Sequence, residues 1–281
     1  MKNILITGYQ GLIGSHLVNH FKTKGYFVSG IGSRENFENV VDILSIDTII
    51  HCAGEIYDDS KMFDTNVQLT SNILKYVKKH PTVEMINISS SSIYGQVDYP
   101  SSEQNLLVPT DIYSASKGAG SLLCIGYAKK YNLKITDIRP YSIYGYGEKP
   151  NKLFPNLFNA FTKSVPMTLY DGMHDWTYID DFVEAIESIL IKKDKPFGDI
   201  VNIGTGIQTS NFEILRIFIK YFGFDAQCVS QSYDGYLRDR DTKMWCCDNR
   251  KSKEIYGIDY KYDVETGIFN MLNKFNKNKN I

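Results

Sequence analysis

A glycine-rich turn near the start of the chain constrains its fold more than any other feature. The apolar run Asn3–Thr7 leads directly into this turn, and a segment with helical spacing follows it. Glycines allow a tight turn, close backbone approach to a ligand and close packing of the helix on the strand. The exposed N–H groups at the helix start attract a pyrophosphate. We therefore predict a dinucleotide site formed by Gly8, Gln10, Gly11, Leu12, Ile13 and Gly14.

Strand and helix patterns alternate through the first half of the chain. The predicted elements after the turn are strands at Tyr26–Ile31, Asp47–Ala53, Glu84–Ser89 and Leu133–Arg139, and helices at Gly14–Lys24, Asn39–Ser45, Thr65–Lys79 and Tyr113–Asn132. Nearly continuous apolar strands that alternate with helices are typical of a parallel sheet covered on both faces. The predicted fold class is therefore α/β, with a doubly wound parallel sheet of the Rossmann type.

The regular alternation weakens after about residue 145. Two proline-interrupted stretches, Lys149–Pro155 and Lys163–Pro166, mark the change, whereas Val201–Ile203 again has the pattern of a strand. We therefore predict a dinucleotide-binding domain over residues 1–147, to which about 174–206 return. The stretches of about 148–173 and 207–281 are predicted to form a smaller C-terminal substrate-binding domain.

Composition excludes several classes of partner and site. The formal net charge of −1 gives no electrostatic attraction for nucleic acid or an anionic membrane. The five cysteines include no Cys-x-x-Cys pair, which argues against a disulfide framework and a zinc site, and no metal is predicted. No apolar segment reaches the roughly 18 residues of a membrane span, and the start of the chain lacks the pattern of a signal peptide. We expect reduced thiols and a cytoplasmic protein.

The end of the second predicted strand bears on the choice of dinucleotide. NAD-binding proteins place an acidic residue about 20 residues beyond the turn, where it accepts a hydrogen bond from the ribose. Ser33 and Arg34 lie near this position and suit a 2′-phosphate, so NADP(H) is favoured over NAD(H). The alternative is that Arg34 points to solvent and that Glu35 or Asp42 contacts the ribose.

Tyr113 and Lys117 lie four residues apart at the start of a predicted helix and therefore share one of its faces. A positive charge lowers the pKa of a nearby phenol from its usual value of about 10. Such a tyrosine can exchange a proton with a carbinol while hydride moves to or from a cofactor. With 20 tyrosines in the chain, the alternative is a surface tyrosine beside a solvated lysine. The serine cluster 89–92 strengthens the catalytic interpretation, because it follows a predicted strand at the sheet edge where ligands bind.

Together these segments resemble the extended short-chain dehydrogenases that act on nucleotide sugars, over most of the chain. Further matches are His51–Gly54, Arg139–Pro140, Tyr144–Gly147, Asp175–Asp181 and Val201–Gly206. The resemblance implies that Ser90 is the catalytic serine, Tyr113 the general acid/base and Lys117 its partner. It also implies that the cofactor contacts Cys52, Ala53, Gly54, Asn66, Tyr113, Lys117 and Pro140.

The implied substrate is a nucleotide-diphosphate sugar, bound by Ser91, Ser92 and Ser142. Arg238 and Arg240 are candidates for its diphosphate, since guanidinium matches phosphate geometry. The alternative interpretation is that both are ordinary exposed arginines without a ligand. Family analogy also implies a homodimer.

Departures from the family pattern narrow the expected reaction. Dehydratases of this family carry Asp and Glu directly after the catalytic threonine, whereas Ser91 and Ser92 cannot act as a strong acid/base pair. Ser142 replaces a common Asn, and His174 replaces a common Arg. The lead hypothesis is NADPH-dependent reduction of a nucleotide-activated keto-deoxysugar. The alternatives are a 4-epimerase with retained NAD and a non-catalytic dinucleotide sensor.

Overall fold

The first half of the chain alternates strands and helices as predicted. The computed structural model describes residues 2–32, 35, 37–41, 45–223, 227–232 and 244–277. Its first elements are β1 (Asn3–Thr7), α1 (Leu12–Thr23), β2 (Phe27–Ile31), α2 (Phe37–Val41), β3 (Thr48–His51), α3 (Asp59–Met62), α4 (Leu69–Lys79), β4 (Glu84–Ile88), α5 (Ile112–Tyr131) and β5 (Ile135–Pro140). A π-helical segment, Phe63–Gln68, joins α3 to α4, and a 3-10 turn, Ser91–Tyr94, follows β4.

The second half of the chain has shorter strands. Its elements are β6 (Ser142–Tyr144), α6 (Leu153–Lys163), β7 (Met167–Tyr170), β8 (Met173–Tyr178), α7 (Ile179–Ile191), β9 (Asp199–Ile203), β10 (Gln208–Ser210), α8 (Asn211–Phe222), β11 (Val229–Ser232), α9 (Arg250–Tyr256) and α10 (Val264–Lys277). Among the residues that the structure describes, no helix combines the length and apolar character needed to cross a bilayer.

Six parallel strands form the central sheet, in the order β2-β1-β3-β4-β5-β9. This arrangement confirms the predicted α/β fold. The last strand, β9, pairs along the outer side of β5, from Thr136↔Asp199 to Pro140↔Ile203. The remaining strands form a three-stranded sheet, β10-β8-β6, and a pair, β11-β7. The proposed division into two domains stays a prediction.

Alternate residues of the central strands enter two separate cores. Ile6, Ile50 and Ile86 face the core shared with α1, α6, α7, α8 and α10. Leu5 and Ile49 face the opposite core, which α2, α4 and α5 cover. Strands buried on both sides in this way have no solvent face, so their sequences are nearly continuous in apolar residues.

The strand order reverses direction between β1 and β3. The chain runs from β1 outward to β2 and then returns to add β3 on the other side of β1. Thr7 and His51, the last residues of these two strands, lie side by side in the register. Ligands of open α/β sheets bind outside the carboxyl ends of the strands at such a reversal. The candidate site is therefore above Thr7 and His51.

Candidate active site

The glycine-rich turn has the close contacts that the sequence predicts. Gly8 has φ +68°, and a Cβ there would lie 2.7 Å from the Ala53 nitrogen. A Cβ at Gly14 would lie 2.3 Å from the Gly8 oxygen. Gly11 is the N-cap of α1 and supplies no side chain to the first helical N–H groups. Leu12 lies in the first turn of α1. This turn fits a dinucleotide, because no side chain caps the N–H groups at the start of α1, and a helix start of this kind attracts a phosphate.

An acidic side chain lies at the end of β2. The Gly32 N–H donates a 2.6 Å hydrogen bond to Oε2 of Glu35, and Gln10 of the glycine turn also approaches Gly32. This is the region where a ribose-binding acid is expected. Ser33 and Arg34, on which the preference for NADP(H) rests, lie outside the described residues, as does Asp42.

The predicted catalytic serine and tyrosine come from two neighbouring elements. Ser90 follows β4 and caps the 3-10 turn, since its Oγ accepts from the Ser92 N–H at 3.1 Å and lies 2.8 Å from the Ser92 Oγ. At the start of α5, Asp111 and Ser114 form a capping box. Because this cap sets where the helix begins, it also places Tyr113 in the first turn of α5. Ser90 forms a hydrogen bond with Tyr113.

Burial is the largest influence on the pKa of Tyr113 and raises it, whereas the hydrogen bond with Ser90 opposes this rise. The lowering expected from Lys117 is therefore not the dominant effect in the protein alone. The reason is where Lys117 lies. Its Nζ donates a 2.6 Å hydrogen bond to the Ile88 carbonyl oxygen at the end of β4. The phenol thus stays protonated at neutral pH and can donate a proton.

Lys117 also lies between α5 and the turn after β3. Its buried ammonium lies close to Gly54, where a Cβ would be 3.7 Å from Nζ. Burial raises the pKa of the adjacent Cys52 thiol to about 12, so this side chain stays neutral. The structure therefore brings the predicted cofactor residues Cys52, Ala53 and Gly54 beside Lys117. Their contact with a cofactor stays a prediction.

Asn66 lies in the π-helical segment and is buried. Its Oδ1 accepts from the Glu55 N–H, and its Nδ2 donates to the Glu55 carbonyl oxygen and to the Ser116 Oγ, each at 2.9 Å. The Ser116 hydroxyl in turn donates to the Tyr113 carbonyl oxygen at 2.8 Å. The amide of Asn66 is thus engaged by protein groups. Its predicted contact with the cofactor stays a prediction.

A buried charged network supports the serine turn from behind. Arg139 donates to the Tyr94 hydroxyl at 2.8 Å and to Asp137 at 3.3 Å. Tyr94, in turn, donates to Oδ1 of Asn202 in β9 at 2.7 Å. Asp137 also accepts from Ser121 of α5 at 2.5 Å. Buried groups that are fully paired in this way rigidify a site. The network ties β5, β9 and α5 to the turn that carries Ser90, and Pro140 ends the same strand.

The structure joins two positions at which the chain departs from the family pattern. Ser142 of β6 lies with its Oγ 3.2 Å from Nδ1 of His174 in β8. Burial lowers the pKa of His174 to about 4, so the imidazole is neutral at pH 7. Ser142 lies two residues after Pro140, the last residue of β5. Arg238 and Arg240 lie outside the described residues, so their predicted contact with a diphosphate stays a prediction. Substrate contacts by Ser91 and Ser92 also stay predictions.

Three buried hydroxyl residues of the site, Thr7, Thr70 and Ser116, were not predicted from the sequence. Thr7 ends an otherwise apolar strand, and this is a recognisable signal. Thr70 lies on the buried face of a helix, where a polar side chain requires a partner. His51 also received no individual role, although its segment matched the family pattern.

Comparison with known proteins assigns the chain to a family. The sequence model of the NAD dependent epimerase/dehydratase family matches residues 4–204. Among curated proteins, the chain is similar to a dTDP-D-glucose 4,6-dehydratase of Dictyostelium discoideum, at 26% identity over 270 residues, 78% of this chain and 62% of that protein. The chain spans about half to two thirds of the length of the first curated relatives it matches. These matches confirm the predicted resemblance.

Solved structures agree with the fold. MoeE5 in complex with UDP-glucose and NAD has a TM-score of 0.89 and 24% identity, with 99% of each chain covered. UDP-glucuronic acid 4-epimerase from Bacillus cereus, in complex with UDP-glucuronic acid and NAD, has a TM-score of 0.87 and 24% identity, covering 98% of this chain and 99% of that chain. At this identity the likeness establishes the fold.

Proposed function

The chain belongs to the NAD dependent epimerase/dehydratase family, and we propose that it is an NAD-dependent nucleotide-sugar oxidoreductase of the 4-epimerase type. The set of Ser90, Tyr113 and Lys117 at the carboxyl edge of the sheet carries this proposal. The residues directly after Ser90 are serines. Elimination of water needs an additional acid and base, whereas reversible oxidation of a carbinol needs one proton-transfer group.

In the proposed reaction, the hydroxyls of Ser90 and Tyr113 both hydrogen-bond the substrate oxygen. The bound dinucleotide supplies the hydride acceptor and then the hydride donor. The positive charge of an oxidised nicotinamide bound beside Tyr113 would favour its phenolate. The phenolate would accept the hydroxyl proton as the carbinol becomes a ketone, and the resulting phenol would return this proton when hydride comes back to the other face of the same carbon. The Lys117 ammonium lies beside Gly54, in the turn after β3 that is proposed to contact the cofactor. Net cofactor consumption is zero, and the product is the epimer.

Glu35 supports NAD(H) as the cofactor. Its carboxylate lies at the end of β2, where it can accept from a ribose hydroxyl and would repel a 2′-phosphate. Ser33 and Arg34 support the alternative, NADP(H), which suits a reductase that releases its cofactor after each turnover. Bound NAD suits an epimerase, because the same molecule must take and return the hydride.

The proposed substrate is a UDP- or dTDP-activated sugar. The Dictyostelium relative is named for a dTDP-sugar, and MoeE5 and the Bacillus cereus epimerase were solved with UDP-sugars. Ser142 and the neutral His174 are proposed to contact uncharged parts of the substrate. Arg238 and Arg240 are proposed to bind the diphosphate of the substrate, since a guanidinium can donate two parallel hydrogen bonds to a phosphate group.

An assay with a panel of UDP- and dTDP-sugars tests this function. We expect catalytic amounts of NAD to support formation of a C4 epimer, detected by NMR, without lasting absorbance at 340 nm. Calorimetric titration should give a lower Kd for NAD than for NADP. Stoichiometric NADPH consumption with a 4-keto-deoxysugar, and no epimer, would instead support the reductase. Binding of NAD without turnover of any sugar would support the sensor.

The proposed homodimer has a candidate surface on α5. Ile112 and Leu122 are exposed by 55% and 58%, and Ala115 and Gly126 lie exposed on the same helical face. A stripe of apolar and small residues on one face allows close helix packing against a second copy. No charged side chain interrupts the stripe between Ile112 and Gly126.

The Leu122→Arg variant tests this surface. We expect light scattering to give a dimer for the unaltered protein, and a monomer at micromolar concentration for the variant, because the interface would bury an unpaired charge. Ile191→Arg, an equally exposed position at the end of α7, is the control and should stay dimeric. A dimer that survives Leu122→Arg would place the interface elsewhere.

A further inference from the structure

His51 occupies the point at which the strand order of the sheet reverses. It is 1% exposed, and both of its ring nitrogens have partners. Nδ1 lies 2.7 Å from the Thr7 Oγ1, and Nε2 lies 3.0 Å from the Thr70 Oγ1. The imidazole therefore bridges the end of β1 and the first turn of α4.

The neighbouring hydrogen bonds determine which nitrogen carries the proton. The Thr70 hydroxyl donates its single hydrogen to the Asn66 carbonyl oxygen at 2.8 Å, so it must accept from His51. Nε2 is therefore the protonated nitrogen. Burial, aided by the positive charge of Lys117, lowers the pKa of His51 to about 3. The ring is consequently neutral, and its bare Nδ1 accepts from the Thr7 hydroxyl.

One end of this chain of hydrogen bonds reaches the dinucleotide-binding turn. The Thr7 Oγ1 accepts from the Ala53 N–H at 3.2 Å, which holds the turn after β3 against the end of β1. Gly8 follows Thr7 directly and packs so closely on Ala53 that no Cβ fits between them. A change at Thr7 is thus expected to alter the distance between the glycine turn and the turn after β3.

The other end reaches the catalytic helix. Thr70 binds the carbonyl of Asn66, and the side chain of Asn66 donates to the Ser116 Oγ at 2.9 Å. Ser116 donates to the carbonyl oxygen of Tyr113 at 2.8 Å. The connection therefore runs from Thr7, next to the glycine turn, through the imidazole and Thr70 to the backbone of Asn66, and from the side chain of Asn66 through Ser116 to the backbone of the proposed acid/base.

We propose that His51 is a positioning residue whose Nε2–H tautomer sets the separation between the dinucleotide-binding turn and the catalytic helix. The inference rests on the proposed function and deepens it. An imidazole is suited to this position, because it accepts on one side and donates on the other. Asn places its amide near the Nδ1 position, and Gln places its amide near the Nε2 position. Neither side chain can therefore make both contacts.

Two substitutions separate the two halves of the network. His51→Asn keeps an acceptor near the Nδ1 position and loses the donor to Thr70, whereas His51→Gln keeps the distant donor and loses the acceptor for Thr7. By hydrogen–deuterium exchange, we expect faster exchange at the start of α5 in His51→Asn and at the glycine turn in His51→Gln. We also expect about a tenfold rise in the Kd for NAD only in His51→Gln, and about a tenfold fall in kcat only in His51→Asn.

Variants of the two partners serve as matched controls. Thr7→Val should affect the same segment and constant as His51→Gln, and more strongly, because it also loses the acceptor for the Ala53 N–H. Thr70→Val should affect the same segment and constant as His51→Asn, and more strongly, because it also loses the bond to the Asn66 carbonyl oxygen. Equal effects on both segments and on both constants in all four variants would mean a general loss of stability and would overturn the proposal. Hydrogen–deuterium exchange is measured without sugar. The expected difference between the start of α5 and the glycine turn therefore tests the proposal even if the proposed reaction is wrong.

The tautomer has a direct test in the unaltered protein. In a sample labelled with nitrogen-15 at histidine, the His51 ring should show a proton on Nε2, none on Nδ1, and no titration between pH 5 and 9. A proton on Nδ1, or a ring that titrates in this range, would overturn the proposal.

Discussion

The Tyr113→Phe variant is expected to lose about three orders of magnitude in kcat, or ~4 kcal/mol of transition-state stabilisation. Phenylalanine keeps the ring that fills this half-buried position but removes the only atom that can move the proton. Ser90 keeps its hydroxyl, and Lys117 keeps its bond to the Ile88 carbonyl oxygen. The Kd for NAD should therefore change by less than about threefold.

Turnover of the sugar identified in the epimer assay measures this effect, with Tyr127→Phe as the control. Tyr127 lies on the same helix and contacts Tyr131, far along α5 from the first turn. Its variant should retain full activity. If Tyr113→Phe kept more than a tenth of the unaltered kcat, the phenol would not be the proton-transfer group.

The Gly14→Ala variant is expected to lose dinucleotide binding by more than about a hundredfold. Its methyl group would lie 2.3 Å from the Gly8 oxygen and 2.8 Å from the Tyr9 Cα. Both neighbours are backbone atoms of the turn itself, so α1 must move away from β1 and the phosphate-binding N–H groups move with it. Overpacking of this kind also lowers the free energy of unfolding, by about 1–3 kcal/mol.

Gly11→Ala separates the effect on the fold from the effect on the ligand. A Cβ there would meet only the Gly8 oxygen, at 3.4 Å. The thermal midpoint of Gly11→Ala should therefore match that of the unaltered protein, while that of Gly14→Ala falls. Calorimetry with NAD measures binding in both variants. Normal NAD affinity in Gly14→Ala would show that this turn does not hold the dinucleotide.

Features that depend on a few adjacent residues were predictable from the sequence. Gly8, Gly11 and Gly14 make their turn within seven residues, and Tyr113 and Lys117 share a helix face through spacing alone. Continuous apolar strands indicated the parallel sheet, because a strand buried on both faces does not alternate between apolar and polar residues. These signals are local, so one sequence contains them in full.

Features that depend on distant residues were not predictable. His51 needs Thr7 and Thr70, which lie 44 and 19 residues away, before its role is visible. Ser142 and His174 appeared as two unrelated departures and are in fact hydrogen-bonded. The π-helical segment falls partly within a predicted helix and was not distinguished from it, because the i→i+5 backbone hydrogen bonds that define it have no residue signature in the sequence.

The late position of β9 has a consequence for synthesis on the ribosome. Strands β1 to β5 are complete once Pro140 is made, but their outer partner begins only at Asp199. At about 5–20 residues per second, several seconds pass between these points. During that interval the outer edge of β5 has no hydrogen-bond partner, and Ile135 and Ile138 lie on it. An unpaired, apolar edge can pair with strands of other chains. The nascent protein is therefore prone to aggregate until β9 covers this edge.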